Sequence, residues 1–299
     1  MNNKNGVDKI LILDFGAQYA HLISRRIRDA GVYSELIHYN ITAEEIKKKN
    51  PSGIILSGGP RSVDDEDALL CDPEIYQLGI PILGICYGLQ LITHQLNGKV
   101  DKKTKREYGQ VSLRIDEKLD LFKDLPDRLI CWMSHADATE NLPESFETIA
   151  HTANSSFAAI RHSTKKIFGV QFHPEVAHTE KGSKIIKNFL YEVCGCKPNW
   201  SMESFVNSSI EMMRKQVKEE QVLCALSGGV DSSVTALLIH RAIGNNLTCI
   251  FINHGLLRKG ESEQVAKTFK ENFKIKMMIV DASKRFLERL KSVEDPEMK

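Results

Sequence analysis

Four short stretches of this chain carry residues that could do chemistry. In Leu83-Gly84-Ile85-Cys86-Tyr87-Gly88 a cysteine stands between an apolar run and a helical pattern. A sharp strand-to-helix turn of this kind needs small flanking residues and lifts the side chain above the sheet edge. It also sets the thiol at a helix N-terminus, whose positive dipole end favours thiolate. Gly84 and Gly88 supply the small flanks. Most cysteines are buried apolar fillers, and that reading is kept for Cys71, Cys131, Cys224 and Cys249. A thiol nucleophile further requires a base and a group that orients the base. Phe172-His173-Pro174-Glu175 offers both, directly after an apolar run ending at Gln171. In an extended chain residues i and i+2 point the same way, so Glu175 can hold the His173 imidazole in one tautomer while it accepts the Cys86 proton. Alone, His173 reads as a loop histidine; beside Cys86 it reads as a base.

The tetrahedral intermediate of acyl transfer carries an oxyanion that needs two preorganised N–H donors. The backbone of Tyr87 offers one. Ser57-Gly58-Gly59-Pro60, at the C-terminal end of another apolar run, offers the second, with Gly59 favoured; by itself this stretch reads as a tight turn. The fourth stretch is Ser227-Gly228-Gly229-Val230-Asp231-Ser232-Ser233, between an apolar strand and a helix. Successive N–H groups, the helix N-terminus and the hydroxyls make a cradle for pyrophosphate. The Gly-Lys-Ser/Thr ending of a Walker A loop is missing, which disfavours simple γ-phosphate hydrolysis. A plain loop with a helix N-cap is the competing reading.

The elements that must position these groups follow a strand–helix rhythm. Strands are expected at 9–13, 34–39, 53–57 and 81–85, with helices at 18–29, 43–49 (opened by Thr42) and 88–97. Short apolar strands alternating with amphipathic helices argue for a parallel sheet covered on both faces. From 110 to 171 the pattern changes to strands at 111–115, 129–132, 147–150, 158–161 and 167–171, expected to pair antiparallel or in a mixed way. A helix at 181–193 precedes a linker at 196–200. A second α/β series follows, with helices at 202–219, 231–243, 260–272 and 283–290 and strands at 221–226, 247–252 and 276–280. The fold class is therefore α/β, with two open, mostly parallel sheet domains at 8–197 and 198–299.

Composition bounds the reading. A length of 299 residues suggests two domains, and 42% apolar with 26% charged residues is ordinary for a globular chain. A net charge of +1 creates no general field for nucleic acid or anionic lipid. No stretch is long and apolar enough to span a membrane, and residues 1–6 lack a signal-peptide core, so a cytoplasmic location is expected. Seven cysteines in a reducing compartment are expected to stay thiols. Cys194 and Cys196 have no second pair at zinc spacing, so no protein-held structural metal is expected.

Ser57-Gly-Gly-Pro, Gly84-Ile-Cys86-Tyr-Gly88-Leu-Gln90 and Phe172-His173-Pro-Glu175 in this order resemble the class I, triad-type glutamine amidotransferases, over about residues 9–196. The resemblance implies hydrolysis of glutamine to glutamate and ammonia through a thioester. By that similarity Cys86 is the nucleophile, His173 the base and acid, and Glu175 its orienting partner. Gly59 and Tyr87 are the oxyanion donors, and Gln90 helps hold the glutamine. His135 and Asp137 would support the rim of that pocket.

Residues 227–233 resemble the loop of N-type ATP pyrophosphatases, which places ATP on Ser227, Gly228, Gly229, Val230, Asp231, Ser232 and Ser233, with Mg²⁺ near Asp231. The two motifs in this order resemble the glutamine-hydrolysing GMP synthase family, as do Asn253-His-Gly255-Leu-Leu-Arg258 and Asp295-Pro-Glu. Asn253 stands where that family usually carries aspartate. The resemblance implies a class I glutaminase fold followed by an adenine nucleotide alpha hydrolase-like unit. ATP would adenylate the carbonyl oxygen of xanthosine monophosphate (XMP), pyrophosphate would leave, and ammonia would displace AMP to give GMP. Family members are homodimers and continue well past this length. The second domain is therefore expected to be incomplete, the acceptor pocket open and the chain monomeric. The competing functions are a glutaminase serving another adenylating ligase of the NAD synthetase kind, a glutaminase alone, and a catalytically silent nucleotide-binding regulator.

Overall fold

The computed structural model describes residues 7–295 and 297, so expectations attached to residues 1–6, Pro296, Met298 and Lys299 lie outside it. The chain divides into two compact units, Met1–Ser201 and Met202–Lys299. The first begins with β1 (Lys9–Asp14), α1 (Ala20–Asp29), β2 (Tyr33–His38), α2 (Ala43–Lys49), β3 (Gly53–Leu56), β4 (Ile82–Ile85) and α3 (Tyr87–Gln95). It continues with β5 (Lys99–Ile115), β6 (Arg128–Asn141), β7 (Phe146–His151), β8 (Ala159–His162), β9 (Ile167–Val170) and α4 (Gly182–Asn188). All nine strands share one sheet in the order β2-β1-β3-β4-β9-β8-β7-β5-β6. The pairings from β2 to β9 are parallel, and those from β9 to β6 are antiparallel.

The central strands are short apolar runs buried along their whole length, as a sheet covered on both faces requires. Alternation along β1 sends Ile10 and Ile12 into one core with α1 and α4, and Leu11 and Leu13 into the other with α2 and α3. The start of α2 is closed by a capping box in which Thr42 and Glu45 each bond the other's backbone N–H.

The antiparallel half differs from expectation in extent. Strands expected at 111–115 and 129–132 are the inner ends of a long ribbon, 17 residues in β5 and 14 in β6. Residues 99–107 are rich in lysine, arginine and acidic residues, which suppresses the strand signal in sequence; cross-strand pairing supplies the ladder instead. The helix expected at 181–193 is α4 followed by a π-helical turn at Phe189–Val193.

The second unit contains α5 (Met202–Val217), β10 (Val222–Leu226), α6 (Val230–Ile243), β11 (Leu247–Asn253), α7 (Glu261–Ala266), β12 (Lys276–Asp281) and α8 (Ser283–Leu290). Its strands form one parallel sheet in the order β10-β11-β12. The expected helix at 260–272 is likewise split, with α7 running into a π-helical turn at Lys267–Asn272. One face of the sheet packs Cys224, Leu226, Cys249, Phe251 and Met277. The alternate positions on the other face are open, with Leu223 70% and Met278 54% exposed.

Candidate active site

Cys86 occupies the turn between β4 and α3 with φ 54° and ψ −103°, a left-handed conformation that is strained for a residue with a side chain. Its N–H donates to the Val170 carbonyl at 2.8 Å, tying the turn to the neighbouring strand β9. The flanking glycines are required by contact. A Cβ on Gly84 would lie 2.4 Å from the Gly88 carbonyl oxygen, and one on Gly88 would lie 2.4 Å from that of Leu56. The turn therefore exists because β4, α3 and β3 touch backbone to backbone there.

His173 follows β9 and is held by its own backbone, which donates to the Trp132 carbonyl at 3.0 Å and accepts from the Thr179 hydroxyl at 2.6 Å. Its Nδ1 lies 2.8 Å from Glu175 Oε1, and the Glu175 side chain is 1% exposed. That contact puts the Nδ1 proton on the carboxylate side and leaves Nε2 for a thiol. The i, i+2 spacing thus does what the extended geometry requires. The Tyr19 ring meets the imidazole edge-on at 5.4 Å between centroids.

His173 and Cys86 share the same space: a methyl group at Gly58 would lie 3.4 Å from His173 Cε1 and 4.0 Å from Cys86 Cβ. Burial alone would lower the basicity of His173. Its hydrogen bonds to Cys86 and Glu175, and the charges of both, outweigh this and raise its pKa from 6.5 to about 10. The arrangement favours a protonated imidazole at His173.

Cys86 is 6% exposed, yet it is not sealed off. It lines a cavity of about 480 Å³ together with Gly59, Tyr87, Gln90, His135 and His173. Among the described residues no partner takes the backbone N–H of Gly59 or Tyr87, so two donors of the kind an oxyanion needs remain available. The Tyr87 hydroxyl is occupied elsewhere, donating to the Leu69 carbonyl at 2.8 Å. Gln90 lines the cavity, and its Nε2 donates to the Asp137 carbonyl at 2.8 Å.

Two neighbours escape a reading based on motifs. Gln171 Nε2 reaches Cys86 Sγ at 3.8 Å; strand alternation could have pointed to it, since it lies two residues before His173. Glu107, which faces His135, sits in the part of β5 whose strand character was not legible.

Residues 227–233, the turn after β10 and the first residues of α6, are largely open to solvent. Gly228 has φ +81°, and Gly229 caps α6. The Ser232 and Ser233 hydroxyls bond the Gly229 carbonyl at 3.2 and 2.7 Å, holding the loop curled over the helix start. A glycine turn curled over a helix N-terminus fits a polyphosphate. Asn253 closes β11, and its Oδ1 accepts from Gly255 N–H at 3.0 Å. Among the described residues no group of three or more His, Cys, Asp or Glu side chains could hold a metal ion. All seven cysteines are free.

A model of the class-I glutamine amidotransferase family matches residues 11–193, and a model of the NAD synthase family matches residues 202–296. The glutamine-hydrolyzing GMP synthase of Bacillus subtilis is 56% identical over 292 residues, which are 98% of this chain and 57% of that protein. That of Acetivibrio thermocellus is 54% identical over 299 residues, all of this chain and 58% of that protein. The chain thus spans a little over half the length of the curated relatives it matches. A Thermoplasma acidophilum protein provisionally assigned as one component of a GMP synthase superposes with a TM-score of 0.58 at 31% identity, covering 63% of this chain and 94% of that one.

Proposed function

The chain belongs to the class-I glutamine amidotransferase family, and from that premise we propose that it is a cytoplasmic glutaminase whose ammonia serves GMP synthesis. Cys86 attacks the side-chain amide of glutamine as its thiolate, and the sulfur–carbon bond forms while the carbonyl π pair moves to oxygen. The backbone N–H groups of Gly59 and Tyr87 receive that oxyanion. His173 then gives its proton to the departing nitrogen, ammonia leaves, and a thioester remains. In the second half His173 takes a proton from water as it attacks the thioester carbon, and the carbon–sulfur bond then breaks, freeing glutamate and returning Cys86 as the thiolate. Glu175 keeps Nδ1 protonated and the ring aligned, and Gln90 borders the glutamine.

The single observation that carries this reading is the left-handed Cys86 lining a cavity it shares with a carboxylate-bonded His173. The second unit takes ATP on residues 227–233, with Asp231 on the Mg²⁺ side, and XMP is the acceptor. ATP makes the XMP oxygen a leaving group, so that ammonia displaces AMP. The 54–56% identity to proteins named GMP synthase supports this acceptor over the NAD synthetase alternative. Glutamate release by the wild type, measured with and without ATP and XMP, tests the assignment. Cys86→Ala is expected to fall to background in both conditions, and hydrolysis persisting in Cys86→Ala would refute it.

A further inference from the structure

Glu107 of β5 and His135 of β6 stand directly opposite one another in the ribbon, and each side chain is 3% exposed. His135 Nδ1 lies 2.9 Å from the Asp137 carbonyl oxygen. A carbonyl only accepts, so Nδ1 carries a proton. The other ring nitrogen, Nε2, faces Glu107 Oε2 at 3.3 Å, and neither of these buried atoms makes a well-formed hydrogen bond. A neutral imidazole protonated on Nδ1 would turn its lone pair toward the carboxylate. Protonation of Nε2 turns that repulsion into an ion pair. Burial pushes the Glu107 carboxyl up, but His135 and the Thr152 hydroxyl, 3.1 Å from Oε1, bring it below its ordinary range.

The Asp137 carbonyl has a second donor, Gln90 Nε2. Gln90 lies about one helical turn beyond Cys86 and also reaches Gln171 Oε1 at 3.5 Å. A polar path therefore runs from Glu107 through His135 and the Asp137 carbonyl to Gln90, and the last three line the cavity. The other titratable groups nearby are Cys131, whose thiol is pushed up to about 12 by burial and then by Glu107, and at the cavity Asp65, Asp137, Cys86, His173 and the phenols of Tyr19, Tyr87 and Tyr108. The remaining cation at the cavity, Arg61, is paired with Asp67.

We propose that Glu107 and His135 form a buried carboxylate–imidazolium pair that pins the Asp137 carbonyl and, through Gln90, sets the shape of the glutamine cavity. Both are positioning residues, and the proposal rests on the glutaminase reading. Ring ¹⁵N NMR of the intact chain at neutral pH, with His135 assigned by the signals lost in His135→Asn, reads the pair directly. Both His135 nitrogens are expected to be protonated, and an unprotonated Nε2 would overturn the pair. Glu107→Gln keeps the volume and can donate to a neutral Nε2. It is expected to raise KM for glutamine about fivefold, the difference between a charged and a neutral hydrogen bond, with kcat within about twofold. An unchanged KM, or a loss confined to kcat, would overturn the positioning role. The NMR measurement needs no turnover, so an inactive wild type would count against the glutaminase reading alone while the ring shifts still decide the pair.

Discussion

At the scale of single residues, His173 carries the account, because its ring bonds two partners of different kinds, a carboxylate and a thiol. Its ordinary pKa of 6.5 rises to about 10 in the fold. A raised basic group stabilises the native state fully below its unfolded value and loses that contribution as pH climbs through the folded one. The unfolding temperature of the first unit is therefore expected to fall between pH 6.5 and about 10 more steeply in the wild type than in His173→Asn, as followed by calorimetry. Parallel curves would contradict the coupling. Glu175→Gln preserves the shape but lets the ring adopt the wrong tautomer, and glutamine turnover should drop by roughly 10²- to 10⁴-fold at unchanged fold. The elbow at Cys86 and the pairing of His173 with Glu175 were legible in sequence because a strand-to-helix turn flanked by glycines and an i, i+2 pair are local patterns. Glu107 was not, since its partner His135 lies on another strand and only the assembled ribbon brings the two together.

Elements explain why the cysteine can hold its posture. Strand β4, helix α3 and strand β3 meet where Gly84 and Gly88 leave no room for a methyl group. Gly84→Ala and Gly88→Ala should each destabilise the first unit by about 1–3 kcal/mol, the range for overpacking a filled interior, with loss of glutaminase activity. Denaturant unfolding checks this, and a neutral alanine at either site would show the contact to be softer than the geometry implies. The parallel strands were readable as short apolar runs, and α2 as a Thr42-capped helix, because local chemistry and final burial agree there. The ribbon of β5 and β6 was readable only at its inner ends. Its outer half mixes charge with apolar residues, and its register is set by the partner strand.

Across the whole molecule the two units differ in how completely they are covered. The central strands β3, β4 and β9 of the first sheet are buried on both faces, whereas the second sheet leaves Leu223, Ile252, Met278 and Val280 open on one side. A hydrophobic dye should therefore bind the native chain, and Leu223→Lys with Met278→Lys should reduce that fluorescence while glutamine hydrolysis stays within about twofold of wild type. Undiminished dye binding would locate the apolar surface elsewhere. The division into two α/β units was legible from the change of rhythm and the linker near residue 198. The open face was not, because apolar strand residues look alike in sequence whether or not something covers them.

The central claim is that one thiol, and no other of the seven, attacks the glutamine amide. Intact-mass and peptide mass spectrometry after exposure to a glutamine analogue bearing an electrophilic ketone in place of the amide tests it most directly. The expected result is a single adduct on Cys86, absent in Cys86→Ala and slowed in His173→Asn. An adduct on a different cysteine, or glutamine hydrolysis that continues undiminished after Cys86 is fully modified, would contradict it.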